Sequence, residues 1–423
     1  MSHKSSLSSP KPEFPVTPGR TLVLCFDGTA GQYDGYNTNA VKLFALLKKD
    51  DFREQLCYYQ PGVGTYLNPS TVSPIFEWCA KVLDEAFAIF LNDHVMDGYR
   101  FLMENYRKED KICLFGFSRG SYTARALAGM LHKVGLLPRD NQEQIPFAFK
   151  MYQNNSTSGI ELAAGYKQTF CQTVPVEFMG VWDTVSSVGV FMGRTLPFTG
   201  VNATIKTFRH AVSLDEVSFE ISALIYLTSI QHRVRFMPYL LEPKSTDSSI
   251  PKDELPPTDA LECWFSGCHS DIGGGNVQDD VARSLSDITL RWMVRQIMAS
   301  DCGILFDTDA LKRATIPVIS HSSSVAVSPE IRSIDDEDSS QQLFDSLAGF
   351  SAWKPLEILP LTWSVQDVQG AWHRKFGFHL GKGRPIVDPK PNFHVTVKER
   401  MANTTLKYRP KAQWVAGTEV YIE

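Results

Sequence analysis

Three separated fragments of this sequence carry side chains suited to nucleophilic acyl transfer. The first is Lys111-Ile-Cys-Leu-Phe-Gly116-Phe-Ser118-Arg119-Gly120-Ser121, which contains the pattern Gly-x-Ser-x-Gly. That pattern serves where a strand turns sharply into a helix. The serine then has strained backbone angles, and Gly116 and Gly120 must be small because strand and helix nearly touch. The turn lifts the hydroxyl above the sheet edge, and the helix N-terminus favours negative charge on an incipient oxyanion. The backbone N–H of Arg119 is one candidate oxyanion donor. Its guanidinium is disfavoured at a helix start, so it is expected to pair with a carboxylate or, more sharply, with an anionic substrate group.

A serine nucleophile needs a base, and the base needs an acid to orient it. Val176-Glu-Phe-Met-Gly-Val-Trp-Asp183-Thr-Val185 places Asp183 directly after an apolar run. Leu261-Glu-Cys-Trp-Phe-Ser-Gly-Cys-His269-Ser-Asp271-Ile-Gly-Gly-Gly275 places His269 just past another. Both positions suit loops at the carboxyl ends of parallel strands, the edge at which a nucleophile turn opens. The order Ser118, Asp183, His269 is that of an α/β-hydrolase. Asp271 is a rival acid, but its closeness to His269 in sequence favours a loop-ordering role. His210 and His394 compete for the base role, whereas His132 and His94 read as structural or solvated.

The fragment Leu24-Cys25-Phe-Asp27-Gly28-Thr29-Ala-Gly31 ends the first apolar run. An early strand of a hydrolase sheet supplies the loop that completes the oxyanion hole, a role expected here of Gly28 and Thr29. Asp27 either orders this loop or bonds to Arg119. Aspartyl phosphoryl transfer is the competing chemistry, but Cys25 stands where its nucleophilic aspartate would be.

The elements that must position these residues are legible as alternating patterns. Thr21–Phe26, Lys111–Phe115, Pro175–Trp182 and Leu261–Phe265 read as strands buried on both faces. Helical periodicity marks Pro74–Tyr106, as one helix or two, Ser121–Val134 and Asp280–Met298. The expected fold is therefore a doubly wound, mostly parallel α/β-hydrolase-like sheet with irregular insertions and a C-terminal extension. Its division is a disordered tail over 1–20, a catalytic domain over 21–310 with an insertion near 190–260, a flexible acidic and Ser-rich loop over 311–345, and an extension over 346–423 packed on the core. Leu241–Ala260, with four prolines, reads as a surface loop. Phe191, Met192, Leu196 and Phe198 suit a lid or acyl pocket, or equally the core.

Composition sets outer limits. The 423 residues carry a formal charge of −5, and 43% are hydrophobic, as in an ordinary globular chain. The mild acidity supplies no basic face for nucleic acid. No apolar run is long enough to span a bilayer, and the N-terminus lacks a secretion core, so the expected location is the cytoplasm. Eight cysteines without C-x-x-C spacing read as reduced thiols rather than a zinc site. No metal or cofactor is expected.

Phe26-Asp-Gly-Thr29, Gly116-Phe-Ser-Arg-Gly120, Gly180-Val-Trp-Asp-Thr-Val185 and Gly267-Cys-His-Ser-Asp-Ile-Gly-Gly-Gly275 occur in that order. In these four motifs, spread over Arg20 to Ser300, the chain resembles the catalytic domain of Tle-type phospholipase effectors of type VI secretion and their fungal and bacterial relatives. The resemblance implies an α/β-hydrolase fold with Ser118 as nucleophile, Asp183 as acid and His269 as base, hydrolysing esters and, in the effector branch, phospholipids. An ester or lipid substrate is thus expected, and peripheral membrane contact is left open. The rival readings are an esterase of small soluble esters and a catalytically silent binding module on the same fold.

Overall fold

In a computed structural model of the chain, residues 19–28, 31–62, 76–185, 196–200, 202–216, 258–317, 329–344, 360–366, 372–378 and 383–423 are described. Eight parallel strands form the central sheet. The first half of the chain gives β1 (Thr21–Phe26), α1 (Asn39–Leu46), β2 (Gln55–Gln60), α2 (Phe76–Asn105), β3 (Lys111–Phe117) and α3 (Arg119–Val134). Then follow α4 (Ile145–Gln153), α5 (Thr157–Phe170), β4 (Val176–Trp182), β5 (Ile205–Ser213), β6 (Asp259–Phe265) and α6 (His269–Gly273). The remainder comprises α7 (Leu285–Ser300), α8 (Thr308–Arg313), α9 (Pro329–Ser339), the hairpin β7 (Pro360–Gln366) and β8 (Trp372–Phe378), β9 (Asn392–His394), α10 (Val395–Ala402) and β10 (Val420–Ile422).

The sheet order is β10-β9-β6-β5-β4-β3-β1-β2, and every pairing within it is parallel. Parallel strands require crossovers, and the helices supply them on both faces. On one face Leu22, Leu24, Ile112, Leu114 and Met179 pack against α2, α3, α4 and α5. On the other, Val23, Cys25, Cys113, Phe115 and Phe178 pack against α1, α7 and α8. Strand residues alternate between these two cores, which is why β1 and most of β3 and β4 are apolar throughout.

Several expectations are corrected. Of the two forms left open for the first helical segment, the single helix is the one formed, over Phe76–Asn105. The helix expected from Asp280 starts at Leu285, after the loop residue Ser284. β5 falls inside the segment expected as an insertion and joins the sheet centre, because its charged members find partners there. Arg209 reaches Gln296 and Asp259, and His210 is buried beside Glu262. Within the segment expected as a flexible acidic loop, α9 is helical. Its Asp335 and Asp338 pair with Arg291, and Asp335 also with Arg295, both arginines of α7. Buried arginines on a neighbouring helix make an acidic run structural instead of solvated. The C-terminal extension is also more regular than expected, since β9 and β10 lengthen the sheet over a third small core of Val212, Leu214, Trp264, Phe393 and Val397.

Residues 1–18 of the tail, much of the Pro-rich stretch and Phe191 and Met192 lie outside the described residues. Arg20, placed in the expected tail, is anchored to Asp110 through its backbone N–H and its guanidinium. Among the described residues, no helix is long and apolar enough to cross a membrane.

Candidate active site

The turn between β3 and α3 is tight. Ser118 has φ 57° and ψ −122°, a conformation that costs a non-glycine residue about 1–3 kcal/mol. A Cβ on Gly116 would lie 2.5 Å from the Gly120 carbonyl, and one on Gly120 would lie 2.2 Å from the Phe26 carbonyl oxygen. Only glycine allows α3 to begin this close to β1 and β3. Two bonds brace the turn. The Ser118 N–H donates to the Trp182 carbonyl (3.0 Å), and the Ser121 hydroxyl bonds to the Gly116 carbonyl (2.7 Å).

β4 pairs with β3, so its carboxyl end opens beside the turn. Asp183 follows it directly and is fully buried, with φ 36°. The loop after β6 leads into the short helix α6, whose first residue is His269. Its Nε2 lies 2.9 Å from Ser118 Oγ, and its Nδ1 lies 2.6 Å from Asp183 Oδ2. Three residues spread over 151 positions of chain thus meet in one relay. The Phe117 ring lies along the imidazole, with centroids 4.7 Å apart.

Two further charged groups close around this relay. Arg384, from the C-terminal part of the chain, grips Asp183 with both arms: Nη1 donates to Oδ1 (2.6 Å) and Nη2 to Oδ2 (2.9 Å). Burial pushes the Asp183 carboxyl up, but Arg384 and His269 outweigh it and hold the group well below the usual carboxylate range. The carboxylate therefore stays charged, and the nitrogen facing it, Nδ1, carries the imidazole proton. That tautomer leaves Nε2 as the acceptor toward the Ser118 hydroxyl. Glu216, at the end of β5, accepts the backbone N–H of His269 (2.8 Å) and so fixes the start of α6. Its carboxyl is raised by burial, against the pull of His269 and Arg384.

The remaining candidates occupy supporting positions. Asp27 accepts from the Gly28 N–H (2.7 Å), the Thr38 hydroxyl (2.6 Å) and the Tyr59 hydroxyl (2.7 Å), and so orders the loop after β1. Gly28 abuts the turn, since a Cβ there would meet the Phe117 ring at 2.9 Å and the Ser118 Cβ at 3.4 Å. Thr29 lies outside the described residues. Asp271 accepts the Cys268 N–H (2.8 Å) in a capping box and also the Phe344 N–H (3.2 Å), an ordering role in its own loop. His210 stands behind the acid, where its Nε2 accepts the Thr184 N–H (3.2 Å). His394 stacks on Phe265 and caps α10. Neither reaches the Ser118 hydroxyl that His269 faces. Arg384 and Glu216 were not singled out for this site from the sequence, and no local pattern marks Arg384, which meets Asp183 across 201 residues.

Comparison with known families is decisive for membership. The model of the type VI secretion phospholipase effector Tle1-like catalytic domain matches residues 20–296. The chain belongs to this family. The mostly parallel sheet described above is an α/β fold, in agreement with the family's architecture. The chain is also similar to the uncharacterized protein YEL023C of Saccharomyces cerevisiae, at 37% identity over 213 residues. That match takes in 47% of this chain and 31% of the yeast protein, so the chain spans about a third of that relative's length. A crystal structure of an uncharacterized protein from Pseudomonas aeruginosa overlaps 80% of this chain and 51% of its own, with 17% identity and a TM-score of 0.35.

Proposed function

We propose that this family member is a serine ester hydrolase that cleaves the carboxylic esters of lipids through an acyl-enzyme. The observation that carries the reading is the unbroken contact from Ser118 through His269 to a buried, charged Asp183. His269 Nε2 takes the hydroxyl proton as Ser118 Oγ attacks the ester carbonyl, and Asp183 stabilises the imidazolium so formed. The backbone N–H of Arg119, at the start of α3, donates to the developing oxyanion, since the Gly28 N–H is engaged by Asp27. The leaving alcohol departs with the proton from His269. Water, activated by the same ring, then frees the acyl group and restores the serine. The seven described cysteines are free, which favours a reducing compartment such as the cytoplasm.

A fluorophosphonate probe tests the nucleophile, because it labels only an activated serine. Peptide mapping should find the label on Ser118, with no labelling in Ser118→Ala. A folded protein that stays unlabelled would favour the silent binding module instead. Turnover on phospholipid vesicles and on short water-soluble esters, measured side by side, tests the substrate class. Preference for the soluble esters without enhancement at an interface would remove the lipid assignment.

A further inference from the structure

A triad of the ordinary kind has an acid that answers to one partner, the imidazole. Here the acid answers to three. Both oxygens of Asp183 are engaged by Arg384, Oδ2 by His269 as well, and Oδ1 by the Ser213 N–H (3.3 Å). The Asp183 side chain is 1% exposed and that of Arg384 7%. A bidentate fork at these distances fixes the carboxylate plane, and hence the direction in which Oδ2 meets the His269 ring.

The fork also changes the charge that the ring senses. An isolated buried aspartate would draw a proton strongly onto the imidazole, or keep one itself. A guanidinium bonded to both carboxylate oxygens offsets much of that pull. We propose that Arg384 is a positioning residue of the triad, orienting Asp183 toward His269 and lowering the proton affinity of the Asp183–His269 pair. This inference rests on the acyl-transfer reading for its catalytic meaning.

Other charged groups face the pair from each surrounding element. Glu216 comes from the end of β5 and bonds the His269 backbone, and its charge is opposite in sign to that of Arg384. Asp215 is spent on Gly267, Tyr408 and Lys411. Asp271 of α6 is spent on Cys268 and Phe344. Arg119 adjoins the nucleophile on α3. Arg400 of α10 faces Asp215 and Asp271, and Glu262 of β6 lies within electrostatic reach of Arg384. Among these groups, Arg384 alone touches the acid's carboxylate in the bonds described.

The test is a pH titration of the His269 ring by NMR on the full chain with labelled histidine, the signal assigned through His269→Gln. In Arg384→Gln the pair should take up its proton at a pH about one unit higher than in the wild type, because a neighbouring cation has been removed. The acidic limb of kcat/KM for p-nitrophenyl butyrate should move the same way. An unmoved midpoint in a variant with wild-type circular dichroism overturns the inference. Arg384→Lys, which keeps the charge without the fork, serves if the glutamine variant does not fold. It should hold the midpoint and lose on the order of tenfold in kcat with little change in KM. Wild-type kcat in that variant also overturns the inference. Hydrolysis that survives in Ser118→Ala defeats the acyl-enzyme reading separately, since the ring titration does not depend on turnover.

Discussion

The Phe117 ring and the His269 imidazole lie 4.7 Å apart with their planes 30° from parallel, so the residue before the nucleophile also seats the base. The same ring fills the space that a Cβ on Gly28 or Gly273 would enter. One side chain therefore sets the spacing between the turn, the loop after β1 and the helix that carries His269. Replacing it with leucine keeps apolar volume but removes the flat wall. Phe117→Leu should cost about 1 kcal/mol in urea unfolding and lower kcat by on the order of tenfold, with KM nearly unchanged. A variant with wild-type kcat would show that the base needs no such seat.

Ser118 stores strain in its backbone, at φ 57° and ψ −122°. Glycine adopts that conformation freely, so Ser118→Gly should raise the unfolding free energy by about 1 kcal/mol while abolishing turnover. Ser118→Ala keeps a Cβ and should abolish turnover without the gain. Equal stability of the two variants in urea would mean the turn is relaxed in solution.

Burial raises Asp271 to about 7 from its ordinary 3.8, against the pull of the Cys268 and Phe344 N–H donors. The folded state therefore holds a proton that the unfolded state releases near pH 4. This group favours folding below about pH 4, and that contribution is lost as pH rises toward 7. Compared with Asp271→Asn, the wild type should lose urea stability progressively over that window, and the difference should level off above it. Parallel curves from pH 4 to 8 would show that the carboxyl titrates normally.

The residues that meet in the candidate site were easier to find in the sequence than the scaffold around them. The Gly116-x-Ser118-x-Gly120 turn declares itself because sterics forbid other residues at its flanks. Asp183 and His269 stand at the ends of apolar runs, which is where parallel strands end. β2 and β5 escaped notice for a physical reason. Gln55 and Gln60 bound the first, while Lys206, Arg209 and His210 punctuate the second, and their partners lie on other elements. β9 and β10 are three residues each, too short for a period to appear. Arg384 sits in Gly383-Arg384-Pro385 with no pattern around it, since its meaning comes wholly from a contact made in space. The acidic run at 335–338 misled because each charge was weighed without Arg291 and Arg295.

Arg384 also has a place in time. A ribosome completes the serine, the acid and the base well before the residue that clasps the acid, which arrives 201 positions after Asp183. A growing chain that has folded its first strands thus holds an unclasped carboxylate in a half-built pocket. The proposed clasp on the acid would therefore close late in synthesis, long after the strand that carries Asp183 has been made.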